Sequence, residues 1–227
     1  MLVVKDKPKS PIAEAYRTLR SNIQFSSFDK DMQLILVTSS GPGEGKSTTS
    51  SNLALAMAES GNSVLLIDCD LRKPSVHKKF KISNYDGLSN VLAGHIKFEE
   101  ANHWYNKNLC VLTAGKIPPN PAEMLASKRM KEFLAEARGN FKYIILDAPP
   151  VIAVTDPQVL STMADGVILV VSSGVADIEA AKRAKELLEN VNANIIGSVL
   201  NRVKMESRRG YYGNYYYEED EKIAEEI

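Results

Sequence analysis

Between residues 33 and 200, short apolar runs rich in β-formers alternate with stretches of helical periodicity. Six runs read as strands: Leu34 to Thr38, Ser63 to Asp68, Leu109 to Thr113, Tyr143 to Asp147, Val167 to Ser172 and Ile195 to Asn201. This is the pattern of an α/β chain whose mostly parallel, twisted sheet is covered by helices on both faces. The intervening helices are expected at Lys46 to Ser60, Ser127 to Arg138, Pro157 to Ala164 and Asp177 to Val191. Several strands end in a polar residue, and open parallel sheets bind ligands at the carboxyl ends of their strands.

Ahead of the first strand, Pro11 to Phe25 reads as an amphipathic helix. Ile12, Tyr16, Leu19 and Ile23 form one apolar stripe, and Glu14, Arg17 and Arg20 form a charged band beside it. On spacing alone that band is a solvated face laced by i,i+3 ion pairs. Beyond Asn201 the periodicity stops, and a linker dotted with Lys and Arg leads into YYGNYYYEEDEKIAEEI. The expected organisation is a folded domain over 1–203 and a flexible tyrosine-rich tail over 204–227.

The segment SSGPGEGKSTT lies directly after the first strand and directly before a helix, the context a phosphate-binding loop requires. Gly41, Gly43 and Gly45 let backbone N–H groups converge on phosphate oxygens, with Pro42, Glu44 and Thr48 completing the cradle. Lys46 supplies charge to the β/γ-phosphates, and Ser47 offers a hydroxyl to Mg²⁺. Ser40 stands where the usual eight-residue pattern begins with Gly.

VLLIDCDLRKP places Asp68 and Asp70 at a strand's carboxyl end. If the strand runs on through Asp70, both carboxylates share one side with Cys69 opposite, and bound Mg²⁺ would relieve their repulsion. YIILDAPP ends in Asp147, from where a carboxylate reaches a metal-bound water. Asn201 closes the last strand, where an amide can read a purine edge or simply form a turn. His77, His95 and His103 match no metal or nucleophile spacing, and Met124 and Met130 read as packing. Five of the nine tyrosines, Tyr211, Tyr212, Tyr215, Tyr216 and Tyr217, crowd the tail beside glycines, without the order a core segment would need. Beside a nucleotide site they read as phosphate acceptors or as a docking segment.

The 227 residues carry 28 basic and 28 acidic side chains, so there is no overall basic excess of the kind nucleic-acid binding relies on. From Tyr211 onward six acidic residues face one lysine, which disfavours docking on DNA or anionic lipid. Cys69 and Cys110 lie far apart without a CxxC, which fits a reducing compartment rather than a disulfide framework. No apolar run approaches the length of a membrane span, so a cytoplasmic chain is expected.

Taken in order, SSGPGEGKST, VLLIDCDLRKP, YIILDAPP and the tyrosine-rich tail resemble the bacterial tyrosine kinases of capsule and exopolysaccharide synthesis. EAYRTLRSN, with Glu14, Arg17 and Arg20, is similar to that family's oligomerisation motif. The resemblance implies a phosphate-loop NTPase fold and an ATP- and Mg²⁺-dependent autokinase that phosphorylates its own tail in trans within a homo-oligomeric ring. It also implies recruitment to the inner membrane face by an adaptor of the polysaccharide chain-length type, and reversal by a cognate tyrosine phosphatase. The roles it implies give Ser47, Asp68 and Asp147 to the metal, Lys46 to the transferring phosphoryl group, and Asp68 or Asp70 to the phenol's proton. Arg72 and Lys73 fall near the phosphates or the incoming tail. Two rival readings are a partitioning or cell-division ATPase, in which Lys usually stands where this chain has Gly41, and a non-catalytic assembly protein that uses nucleotide only as a clamp.

Overall fold

The computed structural model describes residues 1–26 and 32–203. α1 (Val3–Asp6) and α2 (Pro11–Ser26) precede β1 (Leu34–Ser39), which is followed by α3 (Lys46–Glu59) and β2 (Val64–Asp68). Next come α4 (Val76–Phe80), α5 (Leu88–Ala93), α6 (Phe98–Ala101), β3 (Asn102–Trp104), β4 (Leu109–Leu112) and α7 (Pro121–Ala126). The chain then alternates α8 (Lys128–Asn140), β5 (Tyr143–Asp147), α9 (Asp156–Ser161), β6 (Gly166–Ser172), α10 (Ile178–Glu189) and β7 (Ile195–Asn201).

Strand parity sorts the side chains into two cores. Leu34 and Leu36 of β1, with Leu65, Ile67, Ile144 and Leu146, face one layer and pack on Leu88, Met130, Leu134, Leu160 and Leu188. Ile35 and Val37, with Val64, Leu66, Tyr143 and Ile145, face the other, against Tyr16, Ile23, Leu53 and Met57. The strands run in the order β3-β4-β2-β5-β1-β6-β7, all parallel except β3. β1 leads outward to β2 on one side, while β5 returns across it to β6 on the other. The loop after β1 therefore opens at a topological switch point, where the crossovers diverge and leave a crevice.

The six strands expected from the sequence form within a residue or two of their expected limits. β3 and the helices α1, α4, α5, α6 and α7 are too short to register as periodicity, and β3 is fixed as an edge only by antiparallel pairing with β4. The apolar stripe of α2 needs correction. Ile12 is 54% exposed, and the buried face is Ala13, Tyr16 and Ile23. The packed side is rotated toward Arg20, whose Nη1 donates to Ala56 O of α3 at 2.9 Å.

Asp165 fastens β1, α8 and the start of β6 together. Its carboxylate accepts from Gln33 N (3.0 Å), Leu34 N (2.7 Å) and both terminal nitrogens of Arg138 (2.8 Å each). Partial burial pushes this carboxyl up, but the Arg138 and backbone hydrogen bonds outweigh it and hold it below its ordinary value of 3.8. Its contribution is thus present above the unfolded carboxylate range and lost as pH falls through the depressed folded value. Asp165→Asn should lower the unfolding free energy by about 1–2 kcal/mol at pH 7. In urea titrations the gap from wild type should narrow toward pH 3; a gap that does not depend on pH would contradict this reading.

Candidate active site

The loop between β1 and α3 turns on two left-handed glycines, Gly43 (φ +77°) and Gly45 (φ +99°). A Cβ on Gly45 would run into the side-chain amide of Asn201. Glu44 folds its carboxylate inside the loop, where Oε1 accepts from Ser40 Oγ (2.5 Å) and Gly41 N (2.7 Å). Asn201, at the end of β7, donates from Nδ2 to Glu44 O at 2.9 Å. The loop is therefore held from within by Glu44 and from outside by β7, with the N–H groups of Thr48 and Thr49 closing on Gly45 O to begin α3.

Parallel pairing of β2 with β5 sets Asp68 directly opposite Asp147. β2 stops at Asp68, so the extended continuation to Asp70 does not form. The Asp70 N–H turns back onto Asp68 Oδ1 (3.1 Å), and this bend still brings the Asp70 carboxylate to the same place: Lys46 Nζ lies 2.9 Å from Asp70 Oδ2 and 3.7 Å from Asp147 Oδ2. Lys46 also donates to Ser47 Oγ at 3.2 Å. Three carboxylates and one ammonium thus converge at the carboxyl ends of adjacent strands.

These acids are not equivalent. Asp68 Oδ2 accepts from Ser75 N and Val76 N, both at 2.9 Å. Asp147 is 0% exposed and neither of its oxygens closes a hydrogen bond, so its charge is met by the Lys46 ion pair at 3.7 Å, an arrangement that a bound cation would favour. Burial, and next the charge of Asp147, push the Asp68 carboxyl up to about 7. Burial also raises Asp147, while Lys46 and the nearby hydroxyls of Ser47 and Ser50 pull it back. Burial alone would weaken the Lys46 ammonium, yet Asp147 and Asp70 more than reverse that.

Arg72 forks onto the buried Asp156 (2.9 and 3.0 Å), and Lys73 N caps Asp70 Oδ1 at 2.9 Å. Both lie on the segment leaving the site. On α2, Arg17 contacts Glu14 (3.2 Å), as i,i+3 spacing implies, and also Pro8 O (2.8 Å) and Glu59 (3.4 Å) within its own chain. The tail tyrosines Tyr211, Tyr212, Tyr215, Tyr216 and Tyr217 lie outside the described residues. Lys79, which donates to Thr48 Oγ1 at 3.0 Å, was not legible in the sequence, because it belongs to a five-residue helix with no period to read.

A strand, a glycine-bent loop ending in Lys46 and Ser47, and a helix N-terminus define a P-loop nucleotide-binding protein. The family profile of ParA, described as a NUBPL iron-transfer P-loop NTPase, matches residues 31–226, and the chain belongs to that family. It is 47% identical over 215 residues to the tyrosine-protein kinase YwqD of Bacillus subtilis, covering 93% of this chain and 91% of the relative. It is 36% identical over 205 residues to the tyrosine-protein kinase CpsD of Streptococcus agalactiae, covering 89% of each. Among solved structures, the chimerical protein CapA2B2 superposes with a TM-score of 0.86 at 40% identity, covering 89% of both chains. Within the P-loop NTPases this chain is therefore a member of the bacterial tyrosine-protein kinases. Among the described residues no helix is long and apolar enough to cross a membrane.

Gly45→Ala should weaken nucleotide binding more than tenfold, since a left-handed non-glycine residue costs about 1–2 kcal/mol before its clash with Asn201. Calorimetric titration with ADP should show part of that loss restored in the Gly45→Ala, Asn201→Ala double variant; equal affinity of Gly45→Ala and wild type would contradict the packing. In the nucleotide-free protein, carbon-detected NMR should find a carboxyl titrating near pH 7 that vanishes in Asp68→Asn. Removing the Asp147 charge in Asp147→Asn should move that titration to lower pH.

Proposed function

We propose that this chain transfers the γ-phosphoryl group of ATP to tyrosines of its own C-terminal tail, presented by a neighbouring copy, and thereby governs capsular or exopolysaccharide synthesis. The observation that carries the reading is the buried Asp147 carboxylate, without a hydrogen bond and 3.7 Å from Lys46, beside Ser47 and in register with Asp68. The likeness to named tyrosine-protein kinases directs that chemistry to tyrosine rather than to a partitioning switch.

The donor set fits Mg²⁺. Hard carboxylate and hydroxyl oxygens are offered by Asp147, Asp68 and Ser47, and Mg²⁺ characteristically takes one or two carboxylates and leaves its other positions to water and phosphate. When bound, the ion supplies positive charge to the phosphates.

The chain's own groups divide the remaining work. Backbone N–H groups of Gly43, Gly45, Lys46 and Ser47 cradle the phosphates, while Gly41, Pro42, Glu44 and Thr48, with the Gly41 and Thr48 N–H groups engaged inside the loop, shape it. Asn201 flanks that loop and is assigned to the nucleobase side. Lys46, released from Asp70, neutralises the group in transfer, and Asp147 orients water at the metal position. A tyrosine hydroxyl with an ordinary pKa near 10 needs a carboxylate within reach to accept its proton. We assign that step to Asp68 or Asp70: Asp68 already accepts from Asp70 N, Ser75 N and Val76 N, whereas Asp70 keeps Lys73 N on Oδ1 and has Oδ2 freed when Lys46 turns to the phosphates.

Glu14, Arg17 and Arg20 are assigned to contacts between copies in a ring, and an adaptor of the chain-length type is the membrane partner. A cognate phosphatase would reverse the modification. Each phosphate would add about 1.5–2 negative charges beside Glu218, Glu219, Asp220 and Glu221, which should loosen the ring.

Lys46→Met should abolish phosphate incorporation on its own, because the charge at the transferring group is lost while the core is untouched. Mixed with an active chain that lacks residues 204–227, the Lys46→Met chain should still become phosphorylated. Wild-type incorporation by Lys46→Met alone would refute the assignment of the site, and absence of transfer in the mixture would refute delivery in trans. Arg17→Ala with Arg20→Ala should lower both the assembly mass in light scattering and the autophosphorylation; an unchanged mass would remove these residues from the interface.

A further inference from the structure

α4 carries two consecutive lysines with different environments. Lys78 is exposed, whereas Lys79 is half-buried and reaches across to the first turn of α3, where its ammonium donates to Thr48 Oγ1. Among the described residues no carboxylate forms an ion pair with Lys79. Its charge is nevertheless set by the site: burial lowers its pKa, Asp147 raises it and Lys46 lowers it.

The chemistry of the contact fixes its direction. An ammonium has three donors and no acceptor, so the Thr48 hydroxyl must accept from Lys79 and offer its own proton elsewhere. Thr48 directly follows Ser47 in the phosphate loop, on the helix end that receives phosphate, and its N–H is already turned onto Gly45 O. The other end of α4 is tied to the same site, since Asp68 Oδ2 accepts from Ser75 N and Val76 N just where that helix begins. A helix of five residues anchored in this way holds Lys79 in place, while a lysine on an open surface would roam.

We propose that Lys79 is a positioning residue for the nucleotide, holding the Thr48 hydroxyl as a donor to a phosphate oxygen and bringing a second lysine charge to the phosphate loop. This rests on the nucleotide-binding reading of the site and does not depend on tyrosine being the acceptor. The loop's N–H groups cradle the α- and β-phosphates, so the contribution falls on atoms that ATP and ADP share. Such an interaction strengthens binding more than it accelerates transfer.

The test is the affinity of the full chain for ATP and for ADP, with Mg²⁺, by calorimetry. The variants are Lys79→Met, Lys79→Arg, Thr48→Val and the Lys79→Met, Thr48→Val pair, with Lys79→Gln standing in should the Met variant fail to fold. Lys79→Met should weaken both nucleotides about tenfold, the scale of a hydrogen bond to a charged group. Lys79→Arg should restore most of the affinity, and Lys79→Met should cost less in the Thr48→Val background than in the wild-type chain, because only its charge is then lost. In turnover assays the loss should fall on KM for ATP more than on kcat. Wild-type affinity in Lys79→Met, equal losses in the Met and Arg variants, or full additivity of the pair would each overturn the proposal. A chain that shows the expected affinities but transfers no phosphate to tyrosine would contradict the kinase reading and support the role of Lys79.

Discussion

Everything at this site depends on buried carboxylates being gathered around one lysine at the ends of parallel strands. Register alone places Asp68 opposite Asp147, and the bend after β2 adds Asp70. Like charges this close and this far from water oppose their own ionisation, which is why burial and mutual repulsion raise Asp68 and why Lys46 is held strongly protonated. The sheet holds the acids together because each strand is anchored on both faces by apolar side chains sorted by parity. That core stores the electrostatic tension which a cation and a polyphosphate can relieve.

A second constraint is the shape of the loop. Gly45 lies against Asn201, and Glu44 is bonded back to Ser40 and Gly41, so the cradle is formed before any ligand contact is made. A preformed cradle loses less conformational entropy on binding, leaving more interaction energy for affinity. The loop also couples distant parts of the chain, since the residue that packs on Gly45 belongs to β7, the strand from which the tyrosine-rich tail departs.

Much of this was legible in the sequence because parallel strands buried on both faces are apolar throughout and end abruptly in functional residues. Asp147 after YIIL and Asp68 after VLLI mark both the end of burial and the start of chemistry. What escaped sequence reading depends on contacts between remote positions. Glu44 gives no outward sign that its carboxylate folds inward, Asp165 meets Gln33 and Leu34 across more than 130 positions, and Lys79 finds Thr48 31 positions away. The α2 stripe was misplaced by Ile12 for a related reason: periodicity gives the spacing of a face, while the packing of α3 decides its rotation, and that packing recruits Ala13 and Arg20.

The central claim is that this constellation moves a phosphoryl group to tyrosine and does not merely hydrolyse ATP. The most direct measurement incubates the full chain, with and without a cytoplasmic fragment of the proposed adaptor, with Mg²⁺ and γ-labelled ATP, then maps the labelled residues by mass spectrometry. Label on tyrosines between residues 211 and 217 is the predicted result. Label released as inorganic phosphate, with every tyrosine unmodified, would contradict it.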